Sequence, residues 1–563
     1  MFATITPLHP HTPTPSLNRQ PGYVSPQYPF NYYLRLPKML TQGTSIATLN
    51  PPDSIAFDHE SIQQKLLNLH QPCYVFLKNN QVGVSHQPIE GIQAQMMVNA
   101  ILPQKLGDRS FLDFHGVNYA YAAGAMAGGI ASETLVIALG KAGFLASFGS
   151  AGLVPQRVEK AIFQIQQALP TGPYAFNLIH SPSEEALEQG AVELYLKHGV
   201  RTVEASAYMD LTPHIVRYRA AGLHLNSQGE IQTHNKVIAK ISRSEVAQKF
   251  LQPAPLKFLK SLVERGYITP LQAALAEKVP LADDITVEAD SGGHTDNRSL
   301  VCLLPSIIAL RDEIQHQYHY DHPVRVGAAG GIGTPEAALA AFMMGASYIV
   351  TGSINHSCIE AGTSDHTKQL LAQASMADMV MAPCADMFEM GVKVQLLKRG
   401  SLFPMRAQKL YDLYKTYGGI EEIPPEIRQT LETQIFRKNL DQVWDETVAY
   451  FSQRDPEQIA RANNNPKRKM ALIFRWYLGL SSRWSTSGDE QRKMDYQIWC
   501  GPAMGSFNEW VKGSYLELPE NRTVVDVATH IMQGAAYLYR LQNLKLQGLN
   551  LPSQYCYYSP FNI

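Results

Sequence analysis

The sequence predicts a TIM-like (β/α)8 barrel, preceded by an N-terminal extension and followed by a mostly helical C-terminal domain. Three observations predict this fold. Short apolar runs alternate with amphipathic helical segments between Phe111 and about Gly400, a pattern typical of parallel strands joined by helices. Two consecutive predicted strands each end in a glycine-containing turn, and the alternation stops after Gly418. We therefore expect domains at 1–110, 111–418 and 419–563.

The first domain is expected to begin with an extended lead-in. Residues 1–50 are rich in Pro, Thr, Tyr and Gln and show neither helical nor strand periodicity. A small α+β unit follows, with a helix predicted over Ser61–Leu69 and a strand over Cys73–Lys78.

Six strands of the barrel are predicted from β-branched and apolar runs. They are Tyr174–Leu178, Thr202–Ala205, Val237–Ile241, Ile285–Glu288, Val324–Ala328 and Tyr348–Thr351.

Two of the connecting helices carry start signals. The segment 181–184 has capping-box spacing, with proline at the first helical position. Thr334 and Pro335 start another helix, which is expected to end at Gly345. Its side chains Ala338, Phe342 and Met343 are predicted to face inward.

The C-terminal domain is predicted to be helical because it lacks βα alternation and contains proline and asparagine breakers. Its aromatic residues are expected to form a packed core or a docking surface rather than a cofactor site. They are Trp444, Trp476, Tyr477, Trp484, Trp499 and Trp510.

Composition argues against several classes of function. The formal net charge of −1 gives no field that would attract nucleic acid. The weakly polar run 119–131 is too short to cross a bilayer, and the N-terminal residues do not resemble a signal peptide, so a cytoplasmic location is expected. The six cysteines include no CxxC pair, so the pattern favours neither a zinc site nor a disulfide framework.

The strongest local signal is a strand that runs into consecutive glycines, Gly330 and Gly331, followed by a helix. A second strand ends at Gly352 and Ser353 about twenty residues later. Glycine turns let backbone N–H groups approach a phosphate, and in βα barrels a phosphate cup forms after the seventh and eighth strands. A Rossmann fingerprint is the alternative, but Glu336 occupies its third glycine position. Glycines that serve only tight turns are the other alternative.

A histidine follows another predicted strand end, where barrels place catalytic groups. Gly292 and Gly293 allow a flat ligand to approach, and His294 comes directly after them as a candidate proton donor or base. A purely structural histidine is the alternative. Small residues around Gly124 and Gly149 leave room for a planar ring against the main chain.

Two other candidates are weaker. The spacing of His316, His319 and His322 is like that of a metal cluster, but the surrounding residues predict a helix end on the solvated surface. Ser150 lacks the frame of a hydrolase nucleophile elbow.

Several strings together resemble the nitronate monooxygenase and flavin-dependent enoyl-reductase superfamily. They are GAMAGGIAS, ADSGGHTDNR, AAGGIG and TGSIN, in that order along the chain. Three further strings resemble the PfaD family, the discrete enoyl reductases of polyunsaturated fatty acid and polyketide synthases. These are MAPCADMFEMGVKVQLLKRGSLFPMRAQKLYDLY, WYLGLSSRW and MDYQIWCGPAMGSFNEWVKGSYLE.

The resemblance implies bound FMN, NADPH as hydride source, and a trans-2-enoyl group on an acyl carrier protein as substrate. It makes His294 the catalytic histidine, although Thr295 and Asp296 stand where the family commonly has a glycine one residue after it. A homodimer is one candidate assembly. The cofactor-binding residues implied are Ala125, Met126, Asn177, Lys240, Asp290, Gly292, Gly293, Ala328, Gly330, Gly331, Thr351, Gly352 and Ser353.

Two other functions remain open. A flavin oxidase of the same fold would act on alkyl nitronates, with His294 as base and oxygen reoxidising the flavin. A protein without catalytic activity would instead dock carrier proteins through its aromatic C-terminal unit.

Overall fold

Eight parallel strands of the computed structural model close into a barrel whose strand order follows the chain, and the last strand, Ile349–Thr351, pairs back to the first, Tyr121–Ala123. The structure describes residues 55–78, 81–182 and 185–561, without the side chains of 453 and 454. The predicted lead-in 1–50 and part of the capping box at 181–184 lie outside these residues. The predicted fold class is confirmed.

The strands alternate with helices throughout the barrel. The strands are β1 (Cys73–Lys78), β2 (Gln81–Ser85), β3 (Met96–Val98), β4 (Tyr121–Ala123), β5 (Leu145–Phe148), β6 (Ala175–Ile179), β7 (Thr202–Ser206), β8 (Leu223–Leu225), β9 (Ile231–Thr233), β10 (Lys236–Ile241), β11 (Asp284–Glu288), β12 (Gly293–His294), β13 (Arg325–Ala329), β14 (Ile349–Thr351), β15 (Met379–Pro383) and β16 (Lys393–Leu397).

The helices up to the end of the barrel are α1 (His59–Leu67), α2 (Arg109–His115), α3 (Glu133–Lys141), α4 (Pro155–Ala168), α5 (Glu185–Lys197), α6 (Pro213–Ala221), α7 (Ser244–Leu251), α8 (Leu256–Glu264), α9 (Pro270–Ala276), α10 (Leu300–Tyr318), α11 (Pro335–Met343), α12 (Ser353–His356) and α13 (Asp365–Ala372). Those that follow are α14 (Phe403–Thr416), α15 (Pro425–Thr430), α16 (Leu440–Arg454), α17 (Pro456–Asn463), α18 (Pro466–Ser487), α19 (Ala503–Val511) and α20 (Val524–Leu546).

All six predicted barrel strands are confirmed to within one residue at each end, and the predicted strand 73–78 is β1. The helix predicted over 61–69 begins two residues earlier, where the Asp58 side chain accepts the N–H of Ser61. Strands β4 and β5, the first two of the barrel, are not among the predicted strands. Both are completely buried.

Helix α11 begins after Thr334, whose side chain accepts the N–H of Ala337, as predicted. Ala338 and Phe342 are buried, but Met343 is 60% exposed, so the prediction for Met343 is wrong. Successive residues of a helix are separated by about 100°, which carries position 343 away from the face shared by 338 and 342.

A buried ionic cluster lies at the N-terminal end of the barrel strands. Arg325 at the start of β13 donates from Nε and Nη2 to the two carboxylate oxygens of Asp284, at 2.6 and 3.0 Å, and His115 Nε2 lies 2.8 Å from the same carboxylate. The Asp284 side chain has no exposed surface. Although burial opposes ionisation, Arg325 and His115 hold the pKa of Asp284 well below its usual value.

The last long helix, α20, connects the two ends of the described chain. It packs against α11, α3 and β3. The buried Arg540 on α20 donates to backbone carbonyls at and just after the C-terminal end of α1, including those of Leu66, Asn68 and Gln71 at 2.6–2.9 Å. A guanidinium fits this place because its fork of donors satisfies several helix-end carbonyls at once.

A second core lies beyond the barrel, where β15, β16, α14, α16 and α18 pack together. The aromatic residues predicted to pack do so: Tyr477 is buried in this core, Trp444, Trp476, Trp484 and Trp499 lie against it, and Trp510 lies against the barrel core. The described residues belong to one compact unit, and the boundaries near 110 and 418 stay predictions.

A small antiparallel sheet, β12-β16-β15, joins the barrel to this second core. Its first strand consists of Gly293 and His294, which pair with Gln395 and Val394 of β16. The histidine singled out in the sequence is therefore held by the region that follows the barrel.

All six cysteines are free thiols, as the absence of a disulfide pattern predicts. Within the described part of the chain, no helix is both long and apolar enough to span a membrane.

Candidate functional site

The carboxyl ends of the barrel strands meet at one mouth because all eight strands run in the same direction. The glycine turns predicted to form a phosphate cup follow β13 and β14, the seventh and eighth strands of the barrel. Ala329 pairs with Val350 in the last register pair between these strands. The turn that contains Gly330 and Gly331 therefore lies beside the turn that contains Gly352.

The local geometry of these turns requires glycine at some positions and leaves space at others. Gly330 has φ +86°, and a Cβ there would lie 2.7 Å from the carbonyl carbon of Ala289. A Cβ on Gly331 or Gly352 would meet no atom within 4 Å. No acceptor among the residues with described positions takes the N–H of Gly331 or Gly352. Two backbone donors with open space beside them form a cradle that fits a phosphate.

A segment from the C-terminal region forms another wall of this mouth. The N–H of Gly501 donates to Ser353 Oγ at 2.9 Å. A Cβ on Gly292 would lie 2.9 Å from the backbone of Cys500, and one on Gly333 would lie 2.3 Å from the carbonyl oxygen of Ala503. Residues 500–503 therefore pack directly against the turns that follow β11, β13 and β14.

Lys240 lies at the end of β10 inside a cluster of acidic groups. Its Nζ lies 2.6 Å from Glu288 Oε1, which also accepts Ser291 Oγ at 3.0 Å. Burial lowers the pKa of Lys240, but Glu288 and Glu204 outweigh it and the net shift is upward. Lys240 is thus held as a cation at the mouth.

Glu204, on β7, is almost completely buried near the same lysine. Its carboxylate accepts the N–H of Ala125 at 3.2 and 3.3 Å, which fixes the turn after β4. Burial raises the pKa of Glu204 in spite of Lys240. Met126, which follows Ala125, packs its carbonyl oxygen against Gly149. A Cβ on Gly149 would overlap this oxygen.

Asn177 on β6 is buried, and its side-chain N–H groups donate to Ser206 Oγ at 2.8 Å and to the carbonyl of Glu204 at 3.1 Å. Thr351 is also buried, and its hydroxyl contacts Tyr121 Oη at 2.5 Å and Asn355 Nδ2 at 2.9 Å. These side chains connect neighbouring strands and turns at the mouth.

Asp290 and Ala328 occupy supporting positions. The Asp290 carboxylate accepts the side-chain amides of Asn297 at 2.9 Å and Gln395 at 2.7 Å, so it holds the His294 loop against β16. Ala328 is completely buried within β13. Gly293 has φ +81°, and a Cβ there would meet no atom within 4 Å, so the position directly before His294 has open space beside it.

His294 projects from β12 and pairs with Asp386, which follows β15. His294 Nε2 lies 3.2 Å from Asp386 Oδ1 and 3.1 Å from Oδ2. The His294 side chain is 35% exposed. Burial lowers the pKa of His294, but Asp386 outweighs this effect and the net pKa is raised.

Cys384 adds a buried thiol to this pair. The ring nitrogen of His294, the sulfur of Cys384 and a carboxylate oxygen of Asp386 all lie within 4.8 Å of one another. Burial raises the pKa of the Cys384 thiol, with the neighbouring Asp386 carboxylate as the second cause, so the thiol stays protonated at neutral pH.

The glycine turns, Lys240 and His294 were predicted from the sequence, and the structure has them at one mouth. Glu204, Asp386 and the segment 500–503 also contribute to this mouth, but the sequence did not predict them. A charged residue inside the apolar strand β7 was a signal for Glu204. Asp386 stands 92 residues after His294 and carries no local pattern. The histidines 316, 319 and 322 are exposed, which confirms the prediction of a solvated helix end.

Three family models match the chain. The nitronate monooxygenase model matches residues 109–442. The model of the fatty acid synthase subunit PfaD N-terminal domain matches 51–91, and that of the inserted helical domain of [acyl-carrier-protein] S-malonyltransferase matches 417–496.

The chain is also similar to characterised proteins. It is 49% identical over 494 residues to a polyunsaturated fatty acid synthase subunit from Thraustochytrium sp., covering 86% of this chain and 33% of that protein. It is 45% identical over 474 residues to the polyketide biosynthesis protein PksE of Bacillus subtilis, covering 84% and 61%. The chain thus spans between a third and about three fifths of the length of these two relatives.

Among solved structures, the chain resembles the enoyl reductase domain of MlnA from the macrolactin biosynthesis cluster of Bacillus amyloliquefaciens. The TM-score is 0.75 and the identity 40%, over 79% of this chain and 99% of that domain. The similarity therefore covers more residues than the predicted barrel alone contains.

Proposed function

Because this chain belongs to the PfaD family within the nitronate monooxygenase superfamily, we propose that it is an FMN-dependent enoyl reductase. Its substrate is a trans-2-enoyl thioester on an acyl carrier protein of a polyunsaturated fatty acid or polyketide synthase, and NADPH is the hydride source. The observation that carries the proposal is the meeting of a glycine cradle, a buried lysine and a paired histidine at one barrel mouth.

The relatives support the chemistry and the setting. The MlnA domain is named an enoyl reductase, and the Thraustochytrium and Bacillus proteins are named for polyunsaturated fatty acid synthesis and polyketide biosynthesis. Acyl chains in such synthases are carried as thioesters, so a carrier protein is the proposed partner. A homodimer stays a prediction.

The residues at the mouth fit a flavin phosphate. The N–H groups of Gly331 and Gly352 would hold the phosphate, with Gly330 and Ser353 shaping the turn beside them. Lys240 would lie toward the ring system and supply positive charge. The turn of Ala125 and Met126, fixed by Glu204, would support the ring from the main chain.

When bound, the flavin would accept hydride from NADPH and deliver it to the β-carbon of the enoyl group. The protein supplies the groups around that transfer. Lys240 is positioned to stabilise negative charge at the mouth. His294, kept protonated beside Asp386, would give a proton to the α-carbon. The wall formed by 500–503 would exclude water from one side of the site.

An absorbance scan of the purified protein tests this function. A bound flavin band that bleaches on anaerobic addition of NADPH, and returns when an enoyl-carrier thioester is added, would support the proposal. NADH serves as the comparison for the preferred nicotinamide. A protein that purifies without flavin and binds none when FMN is added would contradict the reductase and favour a docking scaffold.

A nitronate oxidase is the second candidate because the nitronate monooxygenase model matches 109–442. In that enzyme His294 would remove a proton rather than donate one, and oxygen would reoxidise the flavin. The raised pKa of His294 favours a proton donor at neutral pH. Oxidation of an alkyl nitronate by a protein that does not consume NADPH would establish the oxidase and exclude the reductase.

Gly352→Ala is expected to weaken flavin binding at least tenfold, equivalent to about 1.4 kcal/mol, because a Cβ would enter the cradle. The fold should not suffer, since Gly352 has φ −132° and the Cβ meets no protein atom within 4 Å. Fluorescence titration of the apoprotein with FMN measures the effect.

Gly190→Ala is the matched control, because it adds the same group to α5 with no neighbour within 4 Å. It should leave the flavin Kd unchanged. An unchanged Kd in Gly352→Ala would mean that the phosphate does not occupy this cradle.

A further inference from the structure

We propose that Asp386 is a positioning residue that fixes the orientation of His294 and keeps its ring protonated for proton delivery. The proposal rests on the proposed function and adds a residue from outside the barrel to its site. Asp386 lies in the connection between β15 and β16, and its carboxylate approaches one nitrogen of His294, Nε2, at 3.1–3.2 Å.

The backbone around the pair makes this contact specific. His294 pairs with Val394 of β16, and β16 pairs with β15, so the small sheet holds His294 beside the β15–β16 connection that carries Asp386. Gln395 adds a second tie, since its amide donates to Asp290 and to the carbonyl of Ser291, both at 2.7 Å. The backbone of the His294 loop is therefore held against β16, beside the connection that carries Asp386.

The carboxylate is itself held in its charged form. Burial opposes ionisation of Asp386, but His294 and the Cys384 thiol together keep its pKa well below the usual value. A charged acceptor that is already oriented favours a proton on Nε2 and fixes the ring, as carboxylates do for catalytic histidines in general.

Other charged groups face His294, but their effects largely oppose each other. Lys240 lowers the pKa of His294 and Glu288 raises it. These two side chains form an ion pair at 2.6 Å, so much of their field at the ring cancels. Asp386 is consequently the group whose removal changes the pKa of His294 most.

The two ring nitrogens of His294 have separate roles. Nε2–H donates to Asp386, and Nδ1–H is left for the substrate. With a flavin bound and reduced by NADPH, hydride would pass to the β-carbon, and His294 would give the proton on Nδ1 to the α-carbon. The double bond becomes saturated, and the ring is left neutral with its remaining proton on Nε2. Nδ1 then regains a proton from solvent.

Nuclear magnetic resonance of the flavin-loaded protein with labelled histidine tests the inference without relying on turnover. The His294 signals are assigned with His294→Gln. We expect the pKa of His294 to lie above 6.5 in the wild type and to fall in Asp386→Asn. A wild-type value at or below 6.5 would overturn the proposal even if Asp386→Asn does not fold, and so would an equal pKa in both proteins.

Kinetics provide a second readout. The rate falls as pH rises through the pKa of a proton donor, so Asp386→Asn should move the alkaline limb of kcat to lower pH. At alkaline pH, kcat should fall about tenfold for each unit lost from the pKa, with little change in KM. In a His294→Ala background the same substitution should have no further effect. An equal loss in that background would assign Asp386 a merely structural role.

Asp296→Asn is the matched control in the same loop. Asp296 pairs with Arg243 at 2.9 Å and Ser242 at 2.7 Å rather than with His294, so its removal should leave the His294 titration unchanged. If the wild type shows no enoyl reduction but the pKa of His294 still depends on Asp386, the proposed function is wrong. The interaction between Asp386 and His294 is then still supported.

Discussion

Replacing His294 with alanine is expected to lower kcat for enoyl reduction about 10²- to 10⁴-fold, the usual contribution of a positioned general acid. The α-carbon would then have to take its proton from water. Reduction of the flavin by NADPH should continue at nearly the wild-type rate, because that half-reaction requires no proton from His294. Stopped-flow absorbance separates the two half-reactions.

His319→Ala provides a control, since His319 is exposed at the C-terminal end of α10, where the chain turns toward the start of β13 at the end of the barrel opposite the mouth. It should leave both half-reactions unchanged. Equal slowing of flavin reduction and enoyl reduction in His294→Ala would show that the histidine supports the flavin site as a whole, rather than donating a proton.

Asp284→Asn is expected to destabilise the fold by about 3–5 kcal/mol, because it leaves Arg325 buried without its charged partner. The Arg325 side chain is only 8% exposed, so bulk water does not compensate the lost charge. Thermal unfolding at neutral pH, followed by circular dichroism, measures the loss. Asp312→Asn is the comparison: its carboxylate is 63% exposed beside Arg311, so the change should be below about 1 kcal/mol.

The same carboxylate predicts acid sensitivity. The pKa of Asp284 is depressed in the folded protein, so its contribution is fully present above the unfolded-state pKa of about 3.9. That contribution is lost as pH falls from about 4 toward the folded-state pKa. Between pH 4 and 2 the wild type should therefore lose stability more steeply than Asp284→Asn. Parallel stability profiles for the two proteins would contradict the assignment.

Much of the barrel was predictable because its later strands are β-branched runs separated by helices with clear caps. Strands β4 and β5 escaped prediction for a physical reason: Tyr121–Ala123 and Leu145–Phe148 are short and rich in small side chains. Such residues have weak strand preference, and here the closure of the barrel imposes their conformation.

The candidate site likewise contains residues that were predictable from the sequence and residues that were not. The glycine turns and His294 follow barrel strands, and Lys240 lies at the end of one, so their convergence follows from the parallel topology alone. Asp386 reaches His294 through an antiparallel pairing between β12 and β16 that no local pattern encodes. Long-range pairing is the part of a fold that a single sequence specifies least directly.

The contact between residues 500–503 and the glycine turns also constrains the order of events at the ribosome. All eight barrel strands have been synthesised by residue 351, yet the groups that touch Gly292, Gly333 and Ser353 emerge about 150 residues later. During synthesis the barrel can thus close before residues 500–503 cover one side of its mouth. The mouth can take its final form only after residues 500–503 have been synthesised.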